Sequence, residues 1–437
     1  MNILVIGFGG REHAIVWKLR QSTHVTKLYC APGNPGIATL AEIVPIAATN
    51  LDGLLKFAID ADIHLTVVGP EHPLTSGIVD LFEEHGLKIF GPTKRAAELE
   101  GSKSFAKAFM KKYDIPTAEY RSFTPDQRYD AERYISSIPV PLVIKADGLA
   151  GGKGVTICES KDRALEVLCD LMERRTLGEA GSHVVIEEFL VGEEASVFAI
   201  CDGKEFCTLT PAQDHKRIFD NDSGKNTGGM GAYAPTPVVS AEILEHVKRT
   251  IIRPTLVGMA NEGRPFRGCL YVGLMLTEVG PKVIEYNCRF GDPEAQVVLP
   301  LLENDLVELM MDTVAGTLHP ENIALKNMTA VCVVLASGGY PDEFETGRPV
   351  VGLDHIDRER DVVVFHSGTK LEKGAIVTAG GRVLGVTAFG GGGDLEGTID
   401  RAYRGVAKIT FDGAYYRSDI GKKGLIGWRT TGAGDRV

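Results

Sequence analysis

The chain has 437 residues, 44% of them hydrophobic, with 51 Gly and 21 Pro, enough for sizeable cores in about three domains and for many tight turns rather than disorder. Acidic residues outnumber basic ones 58 to 47, a formal charge of -11, which argues against a sequence-independent grip on nucleic acid. No apolar run approaches the roughly 18 residues of a membrane span, and the start lacks a basic n-region and cleavage site, so a soluble, cytoplasmic protein with small-molecule ligands is expected.

In chain order, Ile3-Leu4-Val5-Ile6 is an apolar run of strand length that stops at Gly7, and Arg11 to Leu19 then carries helical spacing. Further runs at 27–30, 65–68 and 88–90 end in Gly- or Pro-containing turns, with helix-like segments such as 51–61 and 75–84 between them. This alternation predicts an open parallel α/β sheet. Ligands of such sheets lie beyond the carboxyl ends of the strands. Here those turns hold Gly9, Gly10, Arg11 and Glu12, then Asn34 between two Pro-Gly steps, then Glu71. Backbone N–H groups at a helix start suit phosphate. A dinucleotide oxidoreductase is the rival reading, but its G-x-G-x-x-G would put glycine where Glu12 stands, and no acid follows the second strand.

Ser102 can cap a helix over 103–112 that ends before Pro116, placing Lys103 and Lys107 on one face. Leu142-Val143-Ile144 reads as a buried strand that delivers Lys145 into a glycine-rich hairpin tip containing Gly148, Gly151, Gly152, Lys153 and Gly154. An ammonium ending a core strand is costly to desolvate unless an anion meets it, and the glycines let backbone amides fold over phosphates. His183 to Phe189 is another buried-type strand ending in acid. There Glu187 can accept an adenine amino hydrogen, the backbone at Glu188 and Leu190 can face the ring edge, and Glu194 can accept ribose hydroxyls.

On the strand 282–287, Glu285 and Asn287 lie two apart and share a face, with Arg289 beyond them. One carboxylate and one amide oxygen suit magnesium that also takes water and phosphate oxygens. Asp292 is read as a cap and Pro293 as the opening of the next helix, and Glu278 as a further metal-side acid. The eight cysteines include no C-x-x-C pair, which excludes a zinc knuckle or disulfide framework and leaves reduced thiols.

Lysines flanking a glycine hairpin, an acidic hinge strand and a late Glu-x-Asn strand are similar to the ATP-grasp superfamily. Longer strings narrow the resemblance: K-A-D-G-L-A-G-G-K-G-V at 145–155, Q-D-H-K-R at 213–217 with N-T-G-G-M-G-A-Y at 226–233, and N-C-R-F-G-D-P-E at 287–294. With 7–12 and V-L-A-S-G-G-Y-P at 334–341, they resemble the phosphoribosylamine–glycine ligase family of purine synthesis, over nearly the whole chain to about Gly421. Gly151 departs from the family's usual Ala, and the stretch after Gly421 is unlike the family's short ending.

The resemblance implies an α/β protein: an N-terminal sheet domain over 1–101, an ATP-grasp domain of two α+β subdomains over 102–328 with a lid at about 115–190, a small β-rich domain over 329–421 without chemistry of its own, and a flexible tail over 422–437. It implies that glycine is joined to 5-phosphoribosylamine, with ATP split to ADP and phosphate through glycyl phosphate, by a monomer or dimer. Glu285 and Asn287 would hold Mg2+ or Mn2+, and Lys103 and Lys145 would offset phosphate charge. Lys216, Arg217 and Arg289 are the candidates for carboxylate or acyl phosphate, because a guanidinium holds such groups bidentately. Asp214 or Asp292 would hold the glycine ammonium or take a proton, and His215 either shapes its loop or carries a proton. Another ATP-grasp ligase, such as a carboxylase, would lack the 213–217 and 226–233 strings. A non-enzymatic nucleotide binder would lack a metal or phosphate ligand.

Overall fold

Residues 1–151, 154–356 and 361–430 are described by the computed structural model, apart from the side chains of 427–430. The first sheet joins β1 (Asn2–Gly7), β2 (Lys27–Pro32), β3 (Glu42–Ile43), β4 (Leu65–Val68) and β5 (Ile89–Phe90) in the order β3-β2-β1-β4-β5, all parallel. Alternate β1 residues serve opposite faces: Ile3 and Val5 join one core, Leu4 and Ile6 another. Ile6 sits opposite both Ala31 and Val68, so the carboxyl ends of three strands meet at one edge. There Glu12 caps the helix Gly10–Leu19 by accepting the Gly9 N–H at 2.6 Å. The expected helix over 75–84 is two helices, Glu71–Ser76 and Ile78–Glu84, divided at Gly77, whose φ of 94° suits glycine.

The lid is a four-stranded sheet, ordered β6-β9-β7-β8, of β6 (Tyr120–Phe123), β7 (Leu142–Ala146), β8 (Val155–Cys158) and β9 (Val184–Glu188), with its own core around Leu142, Ile144, Val184 and Ile186. Facing it are β10 (Glu193–Asp202), β11 (Phe206–Thr208), β16 (Arg267–Thr277) and β17 (Gly280–Asn287). Between them in sequence run β12 (Gln213–Asp214), β13 (Arg217–Phe219), β14 (Ser223–Asn226) and β15 (Gly231–Ala234).

The last domain is built on β18 (Met328–Ser337), β19 (Val362–His366), the hairpin β20 (Thr369–Glu372) with β21 (Ala375–Thr378), β22 (Arg382–Gly391) and β23 (Ala414–Tyr415). Its main sheet is completed from the central domain, since β12 and β15 extend it in the order β12-β15-β18-β22-β19. One apolar cluster also runs from Ile3 through Phe198, Tyr271 and Val298 to Ala330 and Phe365. The three regions therefore share a core. The segment expected to be a flexible tail begins instead as a helix, Lys422–Thr430, because Gly424 packs within reach of Tyr233 and Lys423 pairs with Asp222; the remainder, 431–437, lies outside the described residues. No helix among the described residues is long and apolar enough to cross a membrane.

Candidate active site

A cleft of about 460 Å³ opens between the lid, the β10–β16–β17 sheet and the edge of the first domain, a volume in the range that small-molecule sites occupy. Strand alternation aims the lid residues at it: Leu142, Ile144 and Ala146 point into the lid core, while Val143 and Lys145 line the cleft. On β9 the same rule buries Ile186 and presents Glu187, which lies opposite Val143. Lys145 Nζ lies 3.0 Å from Glu187 Oε2 and donates to the Ile284 carbonyl at 3.0 Å. That carbonyl is accessible because β17 bulges there, Gly273 pairing with Glu285 but Leu274 with Val283. Past the bulge, Glu285 and Asn287 keep the cleft face while Tyr286 and Cys288 enter the core, as their spacing predicts.

The helix Lys103–Lys112 brings two lysines to the same wall. Ser102 caps it by accepting the Phe105 N–H at 3.1 Å, and Asp147, at the root of the glycine hairpin, accepts the Ser104 N–H. Lys103 Nζ donates to the Gly148 carbonyl at 3.2 Å, so its ammonium sits at the base of the hairpin tip. Burial lowers the pKa of Lys103, against the pull of Glu285. Gly151, Glu188, Leu190 and Glu194 also line the cleft, whereas Gly152 and Lys153 lie outside the described residues.

At the opposite end, Arg289 is clamped between two acids, 3.3 Å from Glu71 and 2.8 Å from Glu100. Glu71 is pushed up by burial but drawn down to about 2 by Arg289 and Arg11. Glu100 also accepts the Cys288 N–H at 2.7 Å and, in the orientation its neighbours require, the Asn287 amide N–H at 2.9 Å. That leaves the Asn287 amide oxygen as the donor atom for a metal. Arg11 lies on this wall too, 2.6 Å from Glu12 and donating to the Phe290 carbonyl.

Between the two ends sits an acid cluster around one lysine. Lys216 is 3.0 Å from Glu194 and 3.7 Å from Glu285. Burial and the nearby Glu294, Glu194 and Glu285 push Asp214 up to about 8 against the pull of Lys216. Buried Glu294 accepts from Ser196 Oγ at 3.3 Å. A carboxyl whose folded pKa lies above its ordinary 3.8 binds more proton in the folded state, so this contribution weakens as pH rises from about 4 to about 8. Asp214→Asn removes that loss. Its Tm relative to the parent, measured without ligands, is expected to rise between about pH 5 and about pH 9; a pH-independent difference would contradict the burial of an ionisable acid here.

Other expected residues lie off the cleft. Glu12 is consumed by capping Gly9 and pairing with Arg11, and it fills the space beside Gly7 and Gly69. Gly9 and Gly10 pack against Glu12, Asp292 and Gln296. Asn34 spends its amide on the Phe8 and His366 carbonyls and the Ile37 N–H, tying the first domain to the last. Arg217 donates to the Gly224 carbonyl within the β13–β14 hairpin. Glu278 is exposed at the β16–β17 turn. Asp292 lines the cleft but caps no helix: the next helix is the short Ala295–Val298, with Glu294 at its cap, and the Asp292 carboxylate is held by Arg382 at 3.0 Å and Gln296 at 2.7 Å. His215, buried and held near 4 by burial and Arg417, is neutral and shapes its loop through backbone bonds to Gly231 and Met230.

Sequence reading missed Glu100, Glu294 and Arg382 as site residues and left Lys107 unassigned. Glu294 stood inside the 287–294 string, and Lys107 shared a helix face with Lys103. No local pattern marked Glu100 or Arg382. Arg382 also corrects the expectation of a chemically silent last domain, because its guanidinium reaches the cleft and donates to the Gly228 and Asp292 carbonyls, both at 2.6 Å.

Residues 1–100, 101–295 and 330–423 match the N, ATP-grasp (A) and C domains of phosphoribosylglycinamide synthetase. The phosphoribosylamine–glycine ligase of Chlorobaculum tepidum is 48% identical over 429 residues, 97% of this chain and 100% of that one. The crystal structure of phosphoribosylamine–glycine ligase from Thermotoga maritima superposes with a TM-score of 0.80 at 35% identity, covering 96% of this chain and 100% of that one. The biotin carboxylase domain of Hydrogenobacter thermophilus 2-oxoglutarate carboxylase, solved with MgADP, shares the fold alone, with a TM-score of 0.71 at 16% identity over 95% of this chain and 91% of that one.

Proposed function

The chain belongs to the phosphoribosylglycinamide synthetase family and joins glycine to 5-phosphoribosylamine with ATP in purine biosynthesis; from that premise we propose how its residues divide the work. The observation that carries the reading is that Lys145, at the root of the glycine hairpin, and Glu285 with Asn287 line one cleft. ATP lies along it, its adenine between β9 and the apolar side chains of Val143, Leu190 and Met275, its phosphates toward Lys145, Lys103 and the hairpin tip. The donors suit magnesium or manganese, since one carboxylate and one amide oxygen are hard ligands and no group of three or more His, Cys, Asp or Glu among the described residues is arranged to hold an ion alone. Glu285 and Asn287 would hold the ion, and phosphate oxygens and water would supply its other ligands. When bound, the ion supplies charge neutralisation across the transferring phosphoryl group.

Glycine presents its carboxylate to the γ-phosphorus with Arg289 and Lys216 offsetting charge, which yields glycyl phosphate and ADP. Asp214 and Glu294 hold the glycine ammonium. Asp292 is less suited, because Arg382 and Gln296 already occupy its carboxylate. The amine of phosphoribosylamine then attacks the acyl carbon and phosphate leaves; Asp214, drawn into its ionised form by Lys216 and the glycine ammonium against the effect of burial, or the departing phosphate accepts the amine proton. The sugar phosphate lies toward Arg11 and the edge of the first domain. Alignment and electrostatics provide the catalysis, with no side-chain nucleophile. Eight free thiols, seven of them buried, accord with a cytoplasmic setting.

ADP release measured over a panel of carboxylates and amines is expected to require glycine and phosphoribosylamine together. Equal turnover with another pair would overturn the substrate placement.

A further inference from the structure

We infer that Lys107, which contacts neither the reacting atoms nor the phosphates in this reading, is a positioning residue: it holds Glu187 so that Lys145 is free to leave that carboxylate for the triphosphate. The inference rests on the placement of ATP given above.

Four observations carry it. First, one oxygen, Glu187 Oε2, is shared by two ammonium groups, Lys107 and Lys145, each 3.0 Å away. Second, the two lysines are not equivalent. Lys107 is only 2% exposed and its other partner is the Thr117 hydroxyl at 2.7 Å, which in turn donates to the Val283 carbonyl at 2.7 Å. This chain locks Lys107 to β17, one turn of strand before Glu285. Both lysines line the cleft and Lys145 is 5% exposed, but among the described residues Lys145 has the bulge carbonyl of Ile284 as its one other hydrogen-bond partner and no side chain that ties it down as Thr117 ties Lys107. Third, Glu187 lines the cleft, and its Oε1 is buried with no hydrogen-bond partner among the described residues. A carboxylate oxygen left unpaired at a nucleotide site can accept a donor from the ligand, and the exocyclic amino group of adenine is such a donor. Fourth, Glu187 is 3% exposed, and a carboxylate at that depth is strongly disfavoured without a counter-cation.

Together these impose a constraint. If Lys145 moves to the phosphates, Glu187 still needs a cation, and Lys107 supplies one that the ligand does not compete for. The same bond keeps Oε2 fixed and leaves Oε1 unpaired among the described residues. Burial brings Lys107 down to about 8 while Glu187 pulls the other way, with Lys145 and Glu188 the other charges facing it. Without Lys107, Lys145 would stay on Glu187 and the triphosphate would lose a partner.

The test is a small cycle of variants, each measured for KM(ATP), kcat and Tm with glycine and phosphoribosylamine saturating. Lys107→Met is expected to raise KM(ATP) by about tenfold or more while kcat falls less than about threefold. Glu187→Gln keeps an amide oxygen for adenine but sets an N–H donor against two ammonium groups, and is expected to raise KM(ATP) by a smaller factor than Lys107→Met. The double variant Lys107→Met/Glu187→Gln is expected to recover a KM(ATP) near that of Glu187→Gln alone, since nothing then retains Lys145. Should Lys107→Met not fold, Lys107→Gln, which keeps a bond to Thr117 without the charge, carries the same expectation. A purely structural Lys107 would lower Tm and kcat together and show no recovery in the double variant, and that result overturns the inference. Lys145→Met separates the two readings. If it leaves KM(ATP) unchanged, the phosphate placement and the inference fall together. If it raises KM(ATP) but Lys107→Met does not, only the inference falls.

Discussion

Glu285→Ala is expected to abolish ATP turnover, lowering kcat by about 10³-fold or more, equivalent to about 4 kcal/mol of lost transition-state stabilisation. Glu285 is the carboxylate that faces Lys216, and Lys145 and Lys103 act with Lys216 to hold its pKa below the ordinary value despite burial. It is therefore ionised and ready to take a hard cation. Alanine would leave Asn287 as the single protein oxygen there, and three lysines would face the triphosphate without the balancing acid. ATP-dependent ADP release is the measurement, with Tm recorded to show that the fold survives. Turnover within a few fold of the parent would refute the assignment of Glu285 to the metal.

Arg289→Ala is expected to be nearly as severe, about 10²- to 10³-fold in kcat/KM for glycine, and to differ from Glu285→Ala in also lowering Tm. The guanidinium satisfies Glu71 and Glu100 at once, and against the opposing effect of burial the two acids drive its pKa up. Its removal leaves buried Glu100 without its cation and half-buried Glu71 with Arg11 alone, and breaking a buried pair in this way costs about 3 to 5 kcal/mol. Arg289→Lys separates the roles. It keeps the charge and so restores most of the Tm, but a single ammonium cannot serve two acids and a substrate carboxylate through a planar fork, so kcat/KM for glycine stays low. Recovery of both by lysine would show that Arg289 acts only as a structural cation.

Much of this was legible along the chain because it depended on local period. Alternation in Leu142 to Lys145 and in Val283 to Asn287 predicted which side chains turn to the cleft, and Ser102 capped its helix as read. Sheet topology in the first hundred residues followed from apolar runs interrupted by glycine. The expected residues that lie off the cleft share a cause. Asn34, Glu12 and Arg217 are polar residues in ligand-like turns, and nothing local tells a turn that binds a ligand from one whose polar groups satisfy each other. Asn34 is spent on His366, 332 residues away.

The chain's order of residues, read alone, determined the strands, the glycine hairpin, the Glu-x-Asn pair and, through its longer strings, the family. Only the folded molecule decided that Glu100 orients Asn287, that Arg382 crosses from the last domain to hold Asp292, and that Lys107 and Lys145 divide one carboxylate between them. Periodicity is a property of neighbours two to four residues apart, whereas a buried charge finds its partner wherever packing brings an opposite charge. That pairing is set by the energy of desolvation in three dimensions and leaves no trace in the spacing of residues.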